Sequence, residues 1–396
     1  MLLRLARYPE AQLDAEAGVD RGDDLRAWEV AGAIAYYCRD FDRAAALGEA
    51  LADHGSDPRQ RVEGLVVHAR ALHARGDVAV AAERMEMALS ICREHRLRQP
   101  TSVHAFLLVH MGRPGGAIGT IAASPYATTE SLSTIYTPVH AHFIHGYALA
   151  TCGRAGDALR VLGRASEEAV RRGLARYTSL GLNMSSWVHR NVGDVDHARE
   201  CNEMARAGAR DTGYRELEVY AILDPCDDDV DGGDLSSAAK RIAAARDVMR
   251  EPYAYSWRHR LRVQLLEGRM ALARGDHTAA LHQATRLVDE AAVRCAPRYR
   301  QLGEVLRLQA NAGLGAAPPD AGVLGELSDS LSVVAGVEAW WLLAELGAAT
   351  RTELCLELAG RHRDQLAASL DPAARSAFLH YAEVRLERIR TRGRTA

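Results

Sequence analysis

The feature that most constrains this chain is a spacing. In residues 146–159, GYALATCGRAGDAL, a small residue in mid-helix, Gly146, is followed seven positions later by a turn glycine, Gly153, and five after that by Ala158. Residues 266–281, LEGRMALARGDHTAAL, repeat the arrangement with Gly268, Gly275 and Ala280. Near the start, Trp28, Gly32, Asp40, Phe41 and Ala44 fall on the same grid, with Arg39 in place of the turn glycine. Weaker copies carry Gly76 and Ala81, Gly112 and Ala117, Ser186 with Gly193 and Ala198, and Gly233 with Ala238. The turns succeed one another every 36 to 42 residues. Small residues at fixed places on either side of a turn let two helices cross closely. The pattern therefore predicts helical hairpins stacked in series, each burying its apolar face only against its neighbours.

Small residue, turn glycine, Asp, aromatic or aliphatic residue, small residue: this order resembles the tetratricopeptide repeat, over residues 25–295 and beyond. The departure is in period, because that repeat has about 34 residues. Longer second helices or linkers are implied. The resemblance extends to the stretched repeats in the sensor arm of large ATP-dependent bacterial transcription activators of the maltose-regulator class and of related signalling ATPases. The segment SLDPAARSAFLHYAEVRLERIR, 369–390, is similar to the closing part of such arms. The fold implied is all-α: a right-handed superhelical solenoid of about eight or nine antiparallel hairpins.

Composition narrows the function classes. Of 396 residues, 48% are apolar and 26% charged, ordinary for a folded chain, while aromatics are only 6%. A formal net charge of −3 gives no electrostatic argument for nucleic acid or an anionic membrane. Seven cysteines are scattered without a C-x-x-C pair, the usage of a reducing compartment, and a structural disulfide or zinc site is not expected. The opening MLLRLARYPE is broken by Arg4, Arg7 and Glu10 and lacks a signal-peptide core, and no apolar run reaches membrane-spanning length. A cytoplasmic location is expected. Lys240 is the one lysine and sits without the glycines of a phosphate-binding loop, so that class of ATPase is excluded.

Taken in order, residues 1–24 read as an N-terminal helix (2–17) and exit loop, 25–312 as the repeats, and 313–396 as further hairpins with a C-terminal cap. The polar run at 124–134 reads as a loop covering an edge of the solenoid. Pro225 interrupts the sixth hairpin, so that DPCDDDVDGGD, 224–234, reads as an acidic loop. In the last helix, Glu383, Arg385, Glu387 and Arg388 would cap the exposed end of the stack.

Chemistry-bearing candidates each have a bland competitor. Asp227, Asp229, Asp231 and Gly232 open like a calcium loop, but its bidentate Glu is replaced by Ala238. Asp227, Asp228 and Asp231 also spell the DDxxD of terpene synthases, without a second metal motif. His140, His142 and His145 share a helix without a partner carboxylate or thiol at ligand spacing. Neither H-E-x-x-H nor G-x-S-x-G occurs. Arg258, His259, Arg260 and Arg262 read either as an anion site at a helix start or as an exposed arginine face.

What remains is the concave groove. Projecting the inward positions of the resembled family onto this chain names Tyr37, Arg70, His73, His110, His140, Tyr147, Asn183, Trp187, Arg190, Arg262 and Arg269, with Glu29, Tyr36, Phe106, Phe143 and Asn191 beside them. Aromatics alternating with Arg, His and Asn supply flat surface to bury and donors for carboxylates and carbonyls. The competing role is packing between adjacent repeats. The expected function is a non-catalytic protein- or peptide-binding module in bacterial signalling or transcriptional control, with no cofactor, metal, nucleic acid or membrane. A small-molecule effector or secreted-peptide receptor using the same groove is the alternative, as in the peptide-sensing aspartate-phosphatase regulators. A metal-dependent all-α enzyme using 227–231 comes third.

Overall fold

Residues 25–123 and 137–395 are described by the computed structural model. The helix expected at 2–17 and the loop expected at 124–134 lie outside them. The described residues hold nineteen α-helices and no strand. They run as nine pairs and a final helix: α1 (Leu25–Tyr37) and α2 (Phe41–His54), α3 (Pro58–Arg75) and α4 (Val78–Glu94), α5 (Thr101–His110) and α6 (Pro114–Ala123), α7 (Thr137–Thr151) and α8 (Ala155–Arg171), α9 (Ala175–Asn191) and α10 (Val195–Asp211), α11 (Arg215–Gly232) and α12 (Leu235–Val248), α13 (Ser256–Ala273) and α14 (His277–Val293), α15 (Pro297–Gly313) and α16 (Ala321–Val334), α17 (Ala339–Thr350) and α18 (Glu353–Ala368), then α19 (Pro372–Thr395). None of the described helices is long and apolar enough to cross a membrane.

The repeat grid explains the packing. Ala44, Ala81, Ala117, Ala158, Ala198, Ala238 and Ala280, the small residue after each turn, have no exposed surface at all. Opposite Ala198 the grid carries Ser186, whose hydroxyl donates to the Ala198 carbonyl at 2.6 Å, so the polar atom is satisfied inside the seam. The turns close in one way. At Gly153, φ is +75° and the next amide, Arg154 N–H, donates back to Leu149 O at 2.9 Å. Arg39 takes the same left-handed conformation, φ +71°, which disfavours any residue with a Cβ. First helices of neighbouring pairs then lie side by side, α1 with α3, α9 with α11, α15 with α17 and α17 with α19.

The chain divides into two compact units. The first takes in the described parts of 1–107 and 120–141 together with 252–258; the second takes in 108–119, 142–251 and 259–396. In the first, α2 and α3 meet backbone to backbone. A Cβ on Gly48 would lie 2.6 Å from the amide nitrogen of His68, so glycine is required there. In the second, early turns dock on segments far along the chain: Gly112 on Pro297, Gly153 on Gly336, Gly193 on the Tyr381 ring. Gly336 N–H donates to Thr151 O at 2.8 Å.

One expectation is overturned here. Residues 224–232 are not a loop, because α11 continues through Pro225 to Gly232. A proline inside a helix lacks an N–H and frees the carbonyl four residues back. That carbonyl, Ala221 O, accepts from Asn202 Nδ2 of α10 at 2.7 Å. A neighbouring hairpin thus supplies the bond that the proline removes, and the helix survives.

Candidate functional site

The groove residues named from the sequence gather in two places. In the first unit, Tyr37, Arg70, His73 and His140 surround an aromatic cluster. His73 lies 5.0 Å from the Tyr255 ring and 5.4 Å from Phe106, which is 5.9 Å from His140. The Arg70 guanidinium stands 4.3 Å over Tyr36 and 5.7 Å over Tyr37. Residues 252–258 fill the middle: Tyr255 N–H donates to Ala74 O at 2.8 Å, its hydroxyl lies 3.2 Å from that of Tyr36, and Trp257 Nε1 donates to His73 O at 3.1 Å. Burial, and secondarily Arg258, lowers the His73 pKa to about 3; burial and then Arg70 lower that of His140 to about 4. Both imidazoles are neutral at pH 7.

This arrangement corrects the reading of 258–262 as an anion site or one arginine face. Arg258 and His259 are buried and Arg260 is exposed, while Arg262 pairs with Asp227.

In the second unit, Asn183, Arg190, Arg262 and Arg269 meet the acidic face of α11, and Trp187 reaches Glu338. Asp224, Asp227, Asp228 and Asp231 recur at three- and four-residue steps and so line one side of that helix. Arg262 and Arg269 both pair with Asp227, and Arg269 also reaches Asp231 at 2.8 Å. Arg190 Nε lies 3.1 Å from Asp228, and its Nη2 is buried without a hydrogen-bond partner among the described residues. Asp229, round the helix, pairs with Arg241 at 2.7 Å. Four carboxylates committed to arginines and radiating from a helix do not form the calcium loop or the DDxxD diphosphate site considered above.

Residues from the far end of the chain complete the cluster. Arg385 of α19 reaches Asp231 at 2.7 Å and stands 4.5 Å over Trp341. Trp341 Nε1 donates to Asn191 Oδ1 at 3.0 Å, and Trp187 Nε1 donates to Glu338 at 2.8 Å. Glu338 also accepts from Arg298 at 2.5 Å. Tyr147 packs against Trp187 at 5.8 Å and against His110 at 6.2 Å. The sequence reading missed Asp224, Arg298, Glu338, Trp341 and Arg385. Arg385, named above only as part of the helix that caps the stack, pairs with Asp231, while Phe378, Ala382 and Ile389 of the same helix are buried.

The electrostatics are tightly balanced. The side chains of Arg190, Arg262, Arg269, Arg298 and Arg385 are 8 to 16% exposed. Burial acts hardest on Asp227 and pushes its pKa up, but Arg262, Arg269, Arg190 and Arg385 outweigh it and hold the carboxyl below its usual range. At Asp224 burial prevails and the pKa is raised, with Asn183 Nδ2 donating to it at 2.8 Å. Asp228 is likewise raised by burial. Burial also opposes the charges of Arg262, Arg269 and Arg385, whose pKa values their acidic partners nevertheless raise.

Stacked hairpins of this kind, with polar side chains gathered on the inner helices, define a tetratricopeptide-like helical-repeat protein. No protein-family model and no curated protein sequence matches the chain. Among solved structures it is similar to one described as a Rap protein complexed with competence and sporulation factor. The two share 13% identity over 93% of this chain and 94% of that one, with a TM-score of 0.46. A likeness of that size assigns no residue of this chain a role.

Proposed function

We propose that this chain is a non-catalytic binding module that recognises a protein or peptide segment through the charged inner face of its second unit. The observation that carries the reading is the buried network of Arg190, Arg262, Arg269, Arg298 and Arg385 with the acids of α11 and α17. Desolvating so many charges offsets most of their mutual attraction, and an apolar core of equal volume is commonly as stable or more so. A chain that lines one face with guanidiniums stacked on tryptophans, and with asparagines between them, holds there the donors and flat surfaces that peptide recognition uses. A role as sensor arm in bacterial signalling or transcriptional control follows from the resemblance in the repeats and is part of the same proposal.

The test replaces a pair rather than a single charge, so that no buried ion is left alone. Affinity capture from the parent organism's lysate is compared between the wild-type chain and Arg190→Met combined with Asp228→Leu. Loss of a captured partner by a variant that melts like the wild type supports the reading. Retention of the same partner by both refutes the placement of the site.

A further inference from the structure

We propose that the inner face of the first unit is a docking site for a partner's aromatic segment, a tyrosine followed two residues later by a tryptophan, and that residues 252–258 of this chain are an internal competitor seated in it. The proposal concerns the first unit alone and stands independently of the reading of the second. Three observations carry it.

The first is the way the segment is held. Residues 252–255, just before α13, are not helical. They are remote in sequence from the helices they touch, with 219 positions between Tyr36 and Tyr255 and 184 between His73 and Trp257. Tyr253, Tyr255 and Trp257 are 4, 7 and 1% exposed, whereas Ala254 and Ser256 between them are half-buried and Pro252 is exposed. Main-chain bonds for affinity and alternate side chains for specificity are how a groove holds an incoming peptide.

The second is what the groove offers. The last carbonyls of a helix have no intrahelical partner. At the end of α3, Gly76 and Asp77 N–H turn back to Leu72 O, but Ala74 O accepts Tyr255 N–H at 2.8 Å and His73 O accepts the Trp257 indole at 3.1 Å. The Tyr255 ring stands edge-on to His73 and Phe106, with centroids 5.0 and 5.3 Å away, and its hydroxyl is 3.2 Å from that of Tyr36. Two carbonyl acceptors beside a cage of rings select a tyrosine with a free amide and, next but one, an indole donor.

The third is strain. Tyr255 has φ +63°, in the left-handed region that a bulky residue rarely adopts and glycine enters freely. Its seating in the cage imposes that turn on the chain. Attachment gives the segment a high effective concentration, and the strain offsets part of that advantage. A segment free at both ends can seat the same rings without the turn. The ordinary alternative is a connecting segment that fills the core and admits no partner.

A synthetic peptide of residues 252–258, capped at both ends and titrated into the full-length chain, distinguishes the two. Tyr255→Gly relieves the turn and withdraws the ring that occupies the cage. This variant is expected to bind the peptide saturably, at least about tenfold more tightly than the wild type does, and to bind a peptide carrying Tyr255→Ala at least about tenfold more weakly. A second measurement needs no variant of the chain. In the wild type labelled with heavy nitrogen at tyrosine, saturating unlabelled peptide should hasten exchange of the Tyr255 amide, which its bond to Ala74 O otherwise protects. No saturable binding to a Tyr255→Gly chain that melts like the wild type, equal binding of the Tyr255→Ala peptide, or a Tyr255 amide whose exchange the peptide leaves unchanged overturns the proposal.

Discussion

The two units line their inner faces with opposite chemistries. In the first, Tyr36, His73, Phe106 and Tyr255 form a cluster of rings, and the Arg70 guanidinium is held over aromatic faces. In the second, Arg190, Arg262, Arg269 and Arg385 are matched against Asp227, Asp228 and Asp231. The same hairpin geometry supports both. An aromatic filling is held by area and dispersion and tolerates the loss of one polar atom. A charged filling is held by balance, and removing one member strands another.

That contrast can be broken most severely at Asp227. Asp227→Ala leaves Arg262 and Arg269 buried beside fewer carboxylates, and a loss of about 3–5 kcal/mol is expected in urea unfolding followed by the signal of the second unit. Acid sharpens the contrast. His73 and His140 have lowered pKa values in the folded chain, so the unfolded chain binds more protons below the ordinary imidazole value of about 6.5. Their contribution is complete above that pH and is lost as pH falls towards 4 and then 3. Asp224 and Asp228, with raised values, act in the reverse sense and favour the folded second unit as pH falls towards the ordinary carboxylate range. Protection against hydrogen exchange, taken relative to the intrinsic exchange rate at each pH, should therefore fall between pH 7 and pH 5 more in α3 than in α11; equal falls would remove the distinction.

A smaller effect is expected at Tyr255→Phe, which removes only the hydroxyl facing Tyr36 and should reduce stability by about 0.5–1.5 kcal/mol. The smallest is a gain. Arg39 occupies the left-handed turn position that glycine fills elsewhere, so Arg39→Gly should raise the unfolding midpoint by the equivalent of about 0.5–1 kcal/mol. A fall in the midpoint would show that the arginine side chain contributes more than its backbone strain.

Much of the fold was legible because its determinants are local. The alanine after each turn and the glycine within it state where helices cross, and even Arg39 could be assigned to its turn from the grid alone. The misreading at Pro225 had a tertiary cause: the bond that rescues α11 comes from Asn202 on another hairpin, and nothing near the proline announces it. The candidate site was half legible for the same reason. Asn183, Arg190, Arg262 and Arg269, named by projecting the inward positions of the resembled repeat family onto this chain, gather beside the acids of α11. Glu338, Trp341 and Arg385 join them from some 150 residues further on, as with Trp187 and Glu338 at 151 and Asp231 and Arg385 at 154, and no local pattern encodes that closure. The three- and four-residue steps of Asp224, Asp227, Asp228 and Asp231 were a readable helix signal, masked by the proline.

The central claim is that the charged inner face is kept for recognition and not for stability. Urea unfolding of Arg190→Met combined with Asp228→Leu tests it most directly. The expected midpoint equals or exceeds that of the wild type, because an apolar pair avoids the desolvation of two ions. A drop of several kcal/mol in the paired variant would show that the network is a structural strut, and would contradict the claim.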